Sequence, residues 1–242
     1  MKRSGDALVL ILGILVIWQI LYWAAGDIAL TSPANTAVHL WKLLGTARFW
    51  EHAAETARAF AFAVTISLFG GVALGVILGV NRTSGVVSEP ILIVLYSLPK
   101  VTLYPLVLLC FGLGISAKVA FGAMHGLIPV TIFTMKAIMQ IKPVLWRTAH
   151  AMRLTTRQTA LTIALPAVLP EVIAGARLGF SLTLLGVLIG EMFASQRGLG
   201  FLIMSAMGLG DIATIMALAV FLSAFAIATN ALLLWLDHAI PH

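Results

Sequence analysis

The stretch RTAHAMRLTTRQTALTIALPAVLPEVIAGARLG, Arg147 to Gly179, lies between apolar runs, and its reading decides the rest of the chain. With Lys142 it forms a polar, arginine-bearing segment that is too long for a simple connection between hydrophobic spans. Pro143 breaks the preceding run, a helix-prone segment extends from about Trp146 to Ile163, and Pro166 and Pro170 predict a bend before the chain re-enters an apolar run. The helix has few carboxylates, several threonines and arginines, and Met152, Leu154 and Leu161, a mixture suited to docking on a partner protein. Arg147, Arg153 and Arg157 equally suit a helix lying at lipid headgroups, and on the residues alone both readings stand.

The surroundings of this segment set the class. Hydrophobic residues make up 61% of the 242 residues and charged ones 10%. With a mean hydropathy of +1.05, this composition excludes a soluble domain of any size. Apolar runs fall at about 7–25, 57–80, 90–112, 117–138, 173–193 and 212–236. Hydrocarbon cannot satisfy a bare backbone, so runs of this length without alternation predict about six transmembrane helices in an all-α integral membrane protein. Lys2 and Arg3 precede the first run, whose apolar stretch exceeds a signal-peptide core, so an uncleaved anchor is expected. Cys110 sits in an apolar run as a small hydrophobe, with no second cysteine for a disulfide.

With the N-terminus inside, Lys2, Arg3, Arg82, Lys136, Lys142, Arg147, Arg153, Arg157 and Arg177 gather on one face, and Lys42, Arg48, Arg58, Lys118 and Arg197 on the other. The excess of positive charge places the long polar segment and both termini in the cytoplasm. The net charge of +6 follows from this topology, and no basic stripe with interleaved aromatics points to nucleic acid.

Within the spans, Gly71, Gly75 and Gly79 clear one helical face for close packing. Pro99 and Pro105 interrupt the third span and require it to face protein or a cavity. Lys100 lies between them, about 15 Å into the bilayer, where a charge marks a pathway or a buried partner. Glu191, at about 27 Å by the same rise, is one candidate partner, and snorkelling or bonding to freed carbonyls is the alternative. His125 is expected to hydrogen-bond between helices. Phosphate-loop, zinc-pair and nucleophile-elbow motifs are absent from the sequence. Ser116 would need His125 as a base to act in an intramembrane protease, and it reads instead as a helix cap before Lys118.

Leu165-Pro166, Pro170, Ile173, Gly175, Arg177 and Gly179 form the pattern L-P-x-x-x-P followed by I-x-x-G-x-R-x-G, which resembles the cytoplasmic loop of ABC importer permeases. SLPKVTLYPLVLLCFGLG (97–114) and GEMFASQRGLGFLI (190–203) are similar to that family's third-helix motif and fifth-helix exit, and the likeness covers about residues 50–236. Lys100 and the turn Gly198-Leu199-Gly200 point toward its nitrate, sulfonate and taurine branch.

The resemblance implies a type I importer permease fold. Residues 1–50 would form an N-terminal transmembrane helix and external segment, and 51–242 a permease core with a coupling loop at about 140–172. It implies a bacterial cytoplasmic (inner) membrane location, a homodimer lining one path for a small anion or zwitterion, two cytoplasmic ATPase subunits, an external solute-binding protein and surrounding lipid. ATP and magnesium would belong to the ATPases, so this chain is expected to be no enzyme and to hold no cofactor or metal. The coupling residues implied are Arg147, Thr148, Ala149, His150, Met152, Arg153, Leu154, Arg157 and Pro166. The path residues are Lys100, Tyr104, His125 and Glu191. The chain departs from the family at Arg147, where a glutamate is usual, and at Arg153, where a glycine is usual. The missing glycine predicts a straighter coupling helix, and the arginines predict an acidic or altered ATPase groove. A self-contained secondary transporter using Lys100, His125 and Glu191 is the competing reading.

Overall fold

The computed structural model describes residues 2–26 and 29–239, and the regular elements among them are helical. Helix α1 (Lys2–Ala25) contacts α2 and leaves Val9, Ile17 and Trp23 exposed; its link to the rest includes a hydrogen bond from Trp18 Nε1 to Thr31 O of 3.0 Å. Helix α2 (Pro33–Leu44) starts at a Ser32 cap with proline in the first turn, and α3 (Ala47–Thr65) at a Thr46 cap. Both begin inside the segment expected to be an external connection.

Through a π turn at Ile66–Gly70, α3 continues into α4 (Gly71–Val80), giving one 34-residue apolar helix. Glu51 and Glu55 on α3 lower the local hydropathy, so the apolar run at 57–80 marks only its later part.

The third expected span is two helices. Helix α5 (Arg82–Ser97) and the 3₁₀ turn with α6 (Lys100–Phe111; α6 proper Tyr104–Phe111) meet at 86°. Pro99 stands at the break, whereas Pro105 lies in the first turn of α6, where its missing donor costs nothing.

Helix α7 (Ile115–Met139) is the centre of the bundle, packed between α4 and α10 and also touching α3. The face of Gly71, Gly75 and Gly79 lies on it: a Cβ at Gly75 would stand 2.5 Å from Thr134 Cβ and 2.9 Å from Thr131 O. Ser67, at the π turn, donates to Ala123 O at 3.2 Å and is hydrogen-bonded to Thr183 Oγ1 at 2.9 Å, which ties α7 and α10 to the turn.

After α8 (Pro143–Ala151) come the single turn α9 (Thr156–Thr159), a π turn at Ala160–Ala164 and α10 (Leu165–Ala194). These last three are continuous as a 38-residue helix, Thr156–Phe193, so Pro166 and Pro170 do not produce the expected bend. Pro166 falls in the first turn after the widened π turn, which accommodates its lost hydrogen bond. Helix α11 (Leu199–Leu209), not anticipated from the apolar runs, precedes α12 (Ile212–Ala239), whose start matches the sixth run. Helices α8 and α9 stand at one end of the 38-residue helix, the loop end, and Ser195–Gly200 at the other, the far end.

Candidate functional site

At the loop end, α8 stops where a straight helix was expected to continue. Leu154 N–H donates to Ala149 O and Arg153 N–H to His150 O, both at 3.0 Å, and Arg153 takes φ +50°. These two bonds around a left-handed residue are a Schellman stop. The missing glycine therefore does not straighten the helix, because the paired backbone bonds hold Arg153 in the conformation glycine would adopt freely. A new helix starts at once: Thr155 and Gln158 cap each other reciprocally, with Thr155 N–H to Gln158 Oε1 at 2.9 Å.

The turn sorts the expected coupling residues. Arg147, Thr148, His150, Met152, Arg153, Arg157 and Pro166 are exposed. Ala149 is buried and Leu154 half-buried, and both line an apolar hollow of about 530 Å³ with Trp146, Ile141 and Val168.

The second place is the break in the third span. Tyr96, Ser97, Leu98 and Pro99 are exposed, while Lys100 turns back, donating from Nζ to Tyr96 O at 3.0 Å with its charge 5.0 Å from the Tyr96 ring centre. Thr102 recovers another freed acceptor, its hydroxyl donating to Pro99 O at 2.7 Å. Lys100 thus takes the alternative expected for it, bonding a freed carbonyl, and its pairing with Glu191 is not observed. Tyr104 donates to Gly190 O at 2.6 Å and packs edge-on against Phe121, which packs edge-on against His125. His125 bonds within its own helix: Nδ1 lies 2.9 Å from Phe121 O, and a carbonyl only accepts, so Nδ1 carries the proton. The expected interhelical bond from His125 gives way to this one. Ser116 donates to Phe111 O at 2.9 Å, so the serine–histidine pair a protease would need does not form, and Gly114, not Ser116, caps α7.

The third place, at the far end, surrounds Glu191. Its carboxylate is fully buried and receives the Thr56 hydroxyl at 3.0 and 2.8 Å and Gly200 N–H at 3.1 Å. Lys118 Nζ stands 3.7 Å from it, 3.3 Å from Glu55 Oε1 and 2.8 Å from Arg197 O. Leu199 N–H donates to Thr56 Oγ1 and Gly198 N–H to His52 Nδ1, which leaves the His52 proton on Nε2. Gly198, at φ +123°, has no room for a side chain because the Glu191 carboxylate occupies the place of its Cβ. Glu55, Lys118, Gln196 and Arg197 border an adjoining cavity of about 510 Å³. Thr56 and His52 carry no signal in the sequence and Lys118 is read there only as an outer-face charge, since residues so far apart in the chain meet only once α3, α7 and α10 are packed.

A further link joins α2 to α12. Thr214 Oγ1 donates to Asp211 Oδ2 at 2.6 Å and lies 3.0 Å from His39 Nε2. The Thr214 hydroxyl, with Coulomb attraction to His39 adding less, holds the Asp211 carboxyl below the usual aspartate range.

The profile of the binding-protein-dependent transport system inner membrane component matches residues 71–241. The chain belongs to that family. This permease is 32% identical over 200 residues, 82% of its own length and 75% of the relative's, to the riboflavin transport system permease protein of Chloroflexus aurantiacus. It is 24% identical over 206 residues (81% and 75%) to the taurine transport system permease protein of Escherichia coli. It is 25% identical over 241 residues (96% and 85%) to the nitrate import permease protein of Leptolyngbya laminosa. It is therefore an ABC importer permease, a transport subunit rather than an enzyme, with several membrane-crossing helices.

Proposed function

We propose that two copies of this permease line one path through the bacterial inner membrane for a small anion or zwitterion, driven by two cytoplasmic ATPases and supplied by an external solute-binding protein. The observation that carries the reading is the exposed break at Tyr96–Pro99 with Lys100 beside it. An exposed 86° break with a lysine charge held beside it does not suit hydrocarbon, so this face is covered by the second copy and by the aqueous path between the copies. Lys100 supplies positive potential there, which favours a negatively charged group on the solute. The relatives' names include taurine, nitrate and riboflavin, and the lysine favours the anionic and zwitterionic members of that range. Tyr104, His125 and Glu191 are buried around α7 and α10 and support the path from behind.

The ATPases engage the exposed residues of α8 and its turn, with Arg147, Arg153 and Arg157 meeting an acidic groove. Ala149, Leu154 and the hollow they line form the seat on which that surface rests. Nucleotide biases the path only if these contacts differ between its two states. ATP and magnesium are bound by the ATPases. The test is affinity purification in mild detergent from the native host: an ATPase co-purifies with the permease, and a pure permease without one would overturn the reading.

A further inference from the structure

The helix Thr156–Phe193 starts at the coupling turn and, after 38 residues, reaches the cluster around Glu191. At about 1.5 Å per residue it is about 57 Å long, more than the roughly 40–45 Å of a whole bilayer. It lies against α7 over an interface of glycines and small side chains, a close packing that transmits displacement with little slack.

At its far end four polar backbone groups between Arg197 and Gly200 are held by side chains of the packed helices. Arg197 O is taken by Lys118, Gly198 N–H by His52, Leu199 N–H by Thr56 and Gly200 N–H by Glu191. Three of the four come from α3 and α7, and Glu191, the only one on α10, also receives the Thr56 hydroxyl and faces Lys118. Plain anchoring does not call for a buried charge, because apolar residues of similar volume often serve as well. A carboxylate that touches all three helices and the turn sets their relative position as well as their contact.

We propose that Glu191 is a positioning residue for transport: it makes the Arg197–Gly200 turn move as one body with α10, so that displacement of the loop end reaches the far mouth of the path. This rests on the function proposed above. The 510 Å³ cavity bordered by Glu55, Lys118 and Arg197 lies beside the turn, at the mouth that would open and close with it.

The test uses the permease purified with its ATPase, in a Cys110→Ser background, since Cys110 is an exposed free thiol. Spin labels are placed at Gln196→Cys, which is exposed, and the distance between the two copies is measured with and without magnesium-ATP and vanadate. The distance is expected to change with nucleotide in the parent and to lose at least half of that change in Glu191→Gln, while ATPase co-purification and basal hydrolysis stay at the parent level. Thr56→Val, which keeps the charges and removes only the bridging hydroxyl, gives the same separation and decides the matter if Glu191→Gln does not assemble. An unchanged nucleotide response in both variants overturns the proposal. So does loss of assembly, hydrolysis and response together in both, which marks a purely structural anchor, and so does a parent complex whose distance ignores nucleotide. A parent that purifies without any ATPase instead overturns the function on which the proposal rests.

Discussion

Lys118 Nζ lies 3.7 Å from Glu191 Oε1, with 2% and 0% of the two side chains exposed. Removing one partner leaves a buried charge uncompensated, which typically costs about 3–5 kcal/mol. Lys118→Met should lower thermal stability in detergent by an amount near the lower end of that range, because Thr56 and Gly200 still serve the carboxylate. Lys118→Met/Glu191→Gln should lose less than the two single losses added together. Simple additivity would show that the two residues do not act as a pair.

Arg153 holds φ +50° inside two backbone bonds, a conformation that costs a residue with a Cβ roughly 1–2 kcal/mol. Arg153→Gly should therefore slow hydrogen exchange at Leu154 N–H, the amide bonded across the turn. Arg153→Ala should leave that exchange near the parent rate. Equal effects of glycine and alanine would place the strain elsewhere.

The same residue separates shape from charge. Arg153→Gly and Arg153→Glu both remove the guanidinium, but only the second adds a repulsive carboxylate against an acidic groove. The amount of ATPase retained on purification should fall in the order parent, glycine, glutamate. Full retention in Arg153→Glu would mean that the arginine touches lipid or water.

Gly75 has Thr134 Cβ 2.5 Å from the place of its missing Cβ, whereas Gly208 has nothing within 4 Å. Gly75→Ala is expected to destabilise by about 1–3 kcal/mol through overpacking. Gly208→Ala, at an exposed position near the end of α11, should be neutral or stabilising by roughly 0.5–1 kcal/mol. Thermal unfolding of the two variants side by side checks this, and a neutral Gly75→Ala would show that α4 and α7 separate easily.

Asp211 caps α12 by accepting from Thr214 N–H at 3.0 Å, and its folded-state pKa is lowered chiefly by the Thr214 hydroxyl. The capping contribution is fully present above the unfolded value of about 4 and is lost as pH falls through the lower folded value. Asp211→Ala should cost about 1 kcal/mol at neutral pH. The gap from the parent should close below about pH 4 in the same unfolding assay. A gap that persists undiminished in acid would show that the charge plays no part in the cap.

The readable parts of this fold were those carried by local pattern. The face of Gly71, Gly75 and Gly79, the start of α12 at Ile212 and the position of the arginine-bearing loop all follow from spacing or composition. The beginning of α3 is hidden because Glu51 and Glu55 depress hydropathy on a helix whose other face is packed, with Phe49 and Thr56 buried. The straight helix expected at Trp146–Ile163 is interrupted because two backbone bonds close over Arg153, a turn that helix propensity does not encode. For Glu191 the sequence offers only depth along its span, about 27 Å, which makes Lys100 one candidate partner and does not show its burial. Lys118, expected on the outer face, is the cation that the packing of α7 against α10 brings to it.

The central claim is that the broken, exposed face of the third span lines the path and that Lys100 gives it its charge. ATP-driven uptake by the reconstituted complex, compared between the parent and Lys100→Ala at equal assembly, tests it most directly. The solute is one that the parent takes up, found by screening nitrate, taurine and aliphatic sulfonates. Uptake should fall at least tenfold in Lys100→Ala, about 1.4 kcal/mol or more in the transport barrier, with the ATPase still bound. Uptake equal to that of the parent would contradict the account.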